Sequence, residues 1–208
     1  MVGARAGSDA RAVLVLLFLV VAGVAVFRLG RAGLAGRAAP GPTATLARVR
    51  SEHRVVSHGW LELTPDPFAP DGSPSGAGAL WQPVYFHPGL LAIRTGTVGR
   101  VSRRGRAHAV VTSDGVVALP CGRARRTPPP GRLIDAPAYS PDALAERAAT
   151  VGTLRRRLAT DAPLGTAGLA PALMWCVAFG SGAALPGSAI VGLTCGFWYA
   201  AVMGTDPA

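Results

Sequence analysis

The chain contains no lysine and no asparagine, and only three cysteines. Without asparagine there is no N-glycosylation acceptor. Cys121 follows a β-rich stretch while Cys176 and Cys195 lie inside apolar segments, which excludes a disulfide framework. Acids are also scarce, 11 against 21 basic residues, all of them arginine, for a net charge of +10. A GC-rich coding bias accounts for the choice of arginine, but not for where the arginines sit.

The scarcity of acids limits the chemistry. In the middle of the chain Glu52, Glu62, Asp66, Asp71 and Asp114 form no close pair suited to acid and base roles. There is no GxSxG elbow, Walker loop or dinucleotide fingerprint. His53 and His58 with Cys121 invite a metal reading, but residues five apart on a strand point to opposite faces, and no CxxC or HExxH motif supports them. No catalytic, metal or cofactor-binding residue is assigned, no small-molecule substrate is identified, and a non-enzymatic protein is expected.

What is present is apolar sequence at both ends. After an N-terminal tail (residues 1–11), residues 12–29 carry no charge before Arg28 and are long enough to cross a hydrocarbon core of about 30 Å. This segment is read as a retained transmembrane anchor. A cleaved signal peptide is the alternative, with Arg5 and Arg11 as its basic region and Gly33-Leu34-Ala35 as a weak cleavage site. The second block has no charge from residue 164 to residue 204 and is interrupted by Pro186-Gly187, a turn-forming pair. It is expected to form a hairpin of two transmembrane helices, 164–185 and 188–204. The fold class is therefore a membrane protein with three transmembrane helices and a small all-β domain, barrel or sandwich, between the first and second.

Small residues recur every fourth position in that hairpin: Gly168, Ala172, Cys176, Gly180 and Ala184 in its first helix, Ser188, Gly192, Gly196, Ala200 and Gly204 in its second. Residues four apart share a helix face, and a face without bulk lets two backbones approach closely. The stripes are expected to pack on each other, with homo-oligomerisation or a protein partner as a further use. Trp175, Phe179, Phe197, Trp198 and Tyr199 supply bulk on other faces.

Between the blocks, residues 30–42 read as a linker and residues 43–120 as the β domain, with strands expected at 43–50, 54–64, 80–87, 97–102, 106–112 and 116–119. Asp114-Gly115 is the clearest hairpin signal and 65–79 a long loop. Trp60, Trp81, Tyr85 and Phe86 are expected in the core of the domain or across its ends. The run Leu80-Trp81-Gln82-Pro83-Val84-Tyr85-Phe86-His87-Pro88, followed by Gly96-Thr97 and Asp114-Gly115, resembles small actinobacterial membrane proteins in which a β domain adjoins membrane helices. That family has no established activity, so the resemblance implies no site residue.

Residues 121–139 read as an Arg/Pro-rich spacer, stiffened by Pro128-Pro129-Pro130. An amphipathic helix is expected over 140–160, capped by Ser140 and lying on the membrane surface. From Arg94 to Arg132 nine arginines accompany a single acid, Asp114. Arg94, Arg100, Arg103, Arg104, Arg106, Arg123, Arg125 and Arg126 are read as a basic surface for anionic lipid, each near the bilayer worth roughly 1 kcal/mol, or for an acidic protein partner. Nucleic acid is disfavoured because the cluster holds no stacking aromatics.

Arg28, Arg31 and Arg37 after the first helix and Arg155, Arg156 and Arg157 before the second outnumber Arg5 and Arg11. The positive-inside rule then puts the β domain in the cytoplasm of a multi-pass plasma-membrane protein, with the extracytoplasmic side as the alternative. The function expected is that of an accessory or scaffold protein. The alternative is an enzyme or transport component completed by partner subunits.

Overall fold

The structure, a computed structural model, describes residues 3–39, 41–53, 56–65, 78–135, 139–179 and 185–207. Helix α1 (Gly3–Gly36) is followed by strands β1 (Thr43–His53), β2 (Val56–Pro65) and β3 (Leu80–Pro83) and a 3₁₀ turn (Pro88–Ala92). Then come β4 (Thr97–Arg104), β5 (Ala107–Thr112), β6 (Val117–Ala118) and β7 (Arg132–Asp135). Four helices complete the chain: α2 (Pro141–Val151), α3 (Leu154–Ala167), α4 (Leu169–Phe179) and α5 (Leu185–Met203).

The strands form one antiparallel sheet in the order β3-β2-β1-β4-β5-β6, with β7 added to β1. Its two ends are hydrogen-bonded to each other: the Tyr85 N–H donates to the Leu119 carbonyl (2.9 Å) and the Cys121 N–H to the Pro83 carbonyl (3.0 Å). The sheet thereby closes into a small barrel, which leaves few unpaired edges. Gly115 takes φ +79° in the β5–β6 turn and Gly105 φ +63° in the β4–β5 turn, the left-handed region in which glycine carries no side-chain penalty.

Alternation along β1 explains the core. Ala44, Leu46 and Arg48 are buried on one face; at Val49 the buried face switches, where β1 leaves β4 and begins to pair with β7. Leu46, Leu61, Val84, Val101 and Val110 fill the interior, closed at one end by Leu90 and Ile93 around the 3₁₀ turn. Gln82 is fully buried, donating through Nε2 to the Pro83 and Gly122 carbonyls and accepting the His108 N–H through Oε1 (2.9 Å), so its burial leaves no amide atom unpaired. Trp60 and Trp81 are buried with Val49 in a separate cluster, and Tyr85 and Phe86 face the helices.

Among the described residues, two helices are long and apolar enough to cross a membrane, Phe18–Gly36 and Leu185–Met203. α1 runs on through most of the expected linker as a single helix, because Ala32, Ala35 and Gly36 form a small-residue face that fits the barrel. Ala35 is fully buried with Ala107 and Ala109.

The expected helix 164–185 is corrected. Its first residues belong to α3, a break falls at Gly168, and α4 follows over the described residues Leu169–Phe179. Pro171 is the physical reason for the break, since it has no N–H to donate to the Ala167 carbonyl.

Pro186-Gly187 is not the turn. Both residues lie in the first turn of α5, where a proline forfeits no helical hydrogen bond. The expected helix 140–160 is also two: Gly152 ends α2 and the Thr153 side chain caps α3, accepting the Arg156 N–H (3.4 Å). The spacer 121–139 contributes β7 and a bridge between Trp81 and Arg125.

Candidate functional site

A cleft opens between two of the places at which the barrel meets the helices. At the first, α1 lies on β4 and β5. At the second, residues following α5 lie against β2: Thr205 bridges His58, and the Asp206 N–H donates to the Ser57 carbonyl (2.9 Å). Asp206 then inserts its carboxylate to within 2.8 Å of the Arg48 guanidinium, with 1% and 3% of the two side chains exposed. Gly59 makes the space; a Cβ there would lie 2.8 Å from Asp206 Oδ2. Thr205 Oγ1 donates to Asp161 on α3 (2.6 Å), and Arg156 Nε donates to the Pro207 carbonyl (3.1 Å), so the tail joins barrel and helices.

The cleft between these attachments has a volume of about 890 Å³. The helices supply a mainly apolar wall, Phe27, Leu164, Tyr199 and Met203, with Arg28 and Arg31 where α1 meets the barrel. The barrel and the segment after β6 supply Ser51, His58, Trp60, Cys121, Arg123 and Arg125. Among the described residues, the lining includes no carboxylate.

Two of the arginines are steered by aromatic faces. Arg125 lies 5.1 Å from the Trp60 ring centroid and Arg31 5.4 Å from that of Phe27, with the Trp60 indole itself fixed by donating to Ser51 Oγ (2.9 Å). Arg28 Nη1 points at Met203 Sδ (3.0 Å), a weak acceptor. Among the described residues, none of Arg28, Arg31, Arg123 and Arg125 lies within 4 Å of a carboxylate oxygen.

Burial sets the titration of the neighbouring groups. The Cys121 thiol is pushed up to about 12 by desolvation, against a smaller opposing effect of Arg28. The Tyr85 hydroxyl is raised chiefly by burial. His58 and His108 are both held below the usual histidine range, chiefly by burial, with Arg103 adding to the effect on His108. The unfolded chain therefore binds protons at these sites before the folded one does. The sign follows: stability falls as pH drops through the ordinary histidine value of 6.5. The thermal midpoint in detergent is expected to be lower at pH 5.5 than at 7.5, with the slope reduced in His58→Gln; a pH-independent midpoint would contradict the burial of these rings.

The structure brings most of the small-residue stripes together. Gly168 faces Gly192 so closely that a Cβ on either would overlap the other's carbonyl. Ala172 packs on Gly192, and Cys176 Sγ lies 2.8 Å from Ser188 Oγ. Gly196 rests on Leu164 and Gly165 of α3, and Ala200 is fully buried. Gly204 instead packs on Cys121 and Tyr85 of the barrel. Gly180 and Ala184 lie outside the described residues.

The basic residues Arg94, Arg100, Arg103, Arg104, Arg106, Arg123, Arg125 and Arg126 are all exposed, but only Arg123 and Arg125 line the cleft. Arg94 is occupied with the Tyr139 carbonyl (3.1 Å).

Sequence reasoning missed Arg48, Asp206 and the inward role of Arg28 and Arg31. One signal was available: Asp206 is the only acid after Asp161, so an otherwise acid-free, apolar stretch ends on a charge in need of a partner. Another was the spacing of Arg28 and Arg31, three apart and so on one face of α1. No protein-family model, curated protein or solved structure matches the chain.

Proposed function

We propose that the protein is a non-enzymatic accessory or scaffold protein of the plasma membrane, its basic barrel held against the cytoplasmic face of the bilayer for contacts with lipid or protein. The observation that carries this reading is the surface of α1. Leu16, Phe18, Val26 and Phe27 are each more than 60% exposed, yet the same helix packs closely on the barrel from Ala32 onward. Apolar surface on this scale requires a non-aqueous cover, and the arginines begin where the cover would end.

The direction of the helices supports the orientation. α1 and α5 both reach the barrel at their C-terminal ends, with Phe18 against Trp198 and Arg28 against Met203. The N-terminus of α1 and the start of α5 then share the far side, leaving the barrel among Arg28, Arg31, Arg37 and Arg155–Arg157.

Cys121 is a poor topological probe because its buried thiol is too weakly acidic to react. Ser113, exposed in the β5–β6 turn, is a better position. Alkaline-washed membranes are expected to retain the protein, and a Ser113→Cys variant should resist a membrane-impermeant thiol reagent in intact cells but react after permeabilisation. Release by the wash would refute membrane integration, and labelling of intact cells would put the barrel outside.

A further inference from the structure

We infer that the cleft between α1, α5 and the barrel is a binding site for a single phosphate-headed lipid. Its phosphate would lie among Arg28, Arg31, Arg123 and Arg125, and its acyl chains would leave along Phe27, Leu164 and Met203. This deepens the membrane reading and rests on it: a diffuse basic surface attracts any anionic bilayer, whereas a cleft selects one molecule.

Three observations combine. The charge is one-sided: among the described residues the lining holds four guanidinium groups and no carboxylate. In a partly enclosed site such charges repel one another, and an anion that accepts hydrogen bonds from several relieves this. Phosphate fits that role best, because guanidinium groups match its oxygens in pairs.

The groups are also pre-positioned. Arg125 is stacked on Trp60 and Arg31 on Phe27, while Arg28 donates, among the described residues, to a thioether alone. Less side-chain freedom is then lost on binding than at an arginine with no ring beneath it.

The lining also combines two chemistries. Phe27, Leu164 and Met203 give it an apolar side, while α1 and the segment after β6 bring Arg28, Arg31, Arg123 and Arg125 to the same cleft. A free anion would not need the apolar wall and an acyl chain would not need the arginines. An amphiphile uses both. The volume of about 890 Å³ is near the upper end of small-ligand pockets, about 300–1,000 Å³. That is room for a headgroup and the first part of its chains, the remainder staying in the bilayer.

The test uses the full-length protein in nonionic detergent and three probes: dioctanoyl phosphatidic acid, dioctanoylglycerol and inorganic phosphate. The phosphatidic acid is expected to bind on the order of tenfold or more tighter than either partial probe. Arg123→Gln/Arg125→Gln should weaken it by on the order of tenfold, while Arg103→Gln/Arg104→Gln, which removes the same charge elsewhere on the barrel, should change it by less than about twofold. Thermal midpoints of both variants establish that they are folded.

Equal weakening by the two double variants would overturn the cleft and leave general lipid attraction standing. Inorganic phosphate binding as tightly as the lipid would make the site one for a soluble anion. No preference for phosphatidic acid over dioctanoylglycerol would overturn the cleft and the lipid-contact reading together.

Discussion

Replacing Asp206 by alanine is expected to destabilise the folded protein by about 3–5 kcal/mol, the range for breaking a buried ion pair by removing one partner. The magnitude comes from what is left behind. Arg48 has 3% of its side chain exposed, lies on the inward face of β1 with Ala44 and Leu46, and has an Nε without a partner among the described residues. The Phe86 ring, 5.9 Å from the guanidinium carbon, does not replace a carboxylate.

Asp206→Ala would also remove the side-chain contact that ties the tail to β1, while leaving the backbone bond to Ser57 of β2. The control is Arg48→Met/Asp206→Leu, which fills similar volume without charge. Because the net contribution of a buried pair is small against apolar replacements, this double variant should recover most of the loss. Unfolding followed by the fluorescence of Trp60 and Trp81 in detergent measures both. A double variant no more stable than Asp206→Ala would show that the stabilisation resides in tail packing and not in charge compensation.

Gly192→Leu should be comparably damaging, for a steric reason. A Cβ at position 192 would meet the Gly168 carbonyl and come within 2.9 Å of the Ala172 Cβ, and two backbones separated by so little cannot admit an isobutyl group without parting α4 from α5. Overpacking costs about 1–3 kcal/mol where neighbours can shift, and more where they are backbone. The expected outcome is loss of monodisperse protein after mild-detergent extraction. Gly187→Leu is the matched control, since among the described residues nothing lies within 4 Å of a Cβ there. If the two variants behaved alike, the close approach at Gly168 and Gly192 would have no energetic weight.

Both results bear on what could be read in advance. All six strand positions expected between residues 43 and 119 are occupied by β1 to β6, because alternation and turn chemistry are local signals. β7 gave no such signal. Arg132–Asp135 is four residues long and follows three prolines, and it is a strand only because β1 extends past β4 and offers an unpaired edge.

Helix boundaries erred for related reasons. Hydropathy marks where a chain is apolar, but the break at Gly168 depends on which carbonyl Pro171 fails to satisfy, and the helical start at Pro186 on a preference that the same dipeptide shares with turns. The small-residue spacing was legible because a helical face is a local property. The cleft was not, since its arginines come from α1 and from the segment after β6, and proximity between them is created by barrel closure.

The attachment of Asp206 to Arg48 has a consequence in time. The two residues are 158 positions apart. At about 5–20 residues per second, synthesis separates their appearance by roughly 8–30 s. Late in that interval, once β7 has been completed at Asp135, every strand of the barrel has been made, but its interior charge has no counterpart. The early barrel must hold Arg48 in water or stay open at that end, and the chain completes its β domain only when the last helix has been delivered. Maturation of the barrel is thus scheduled by the arrival of the helices.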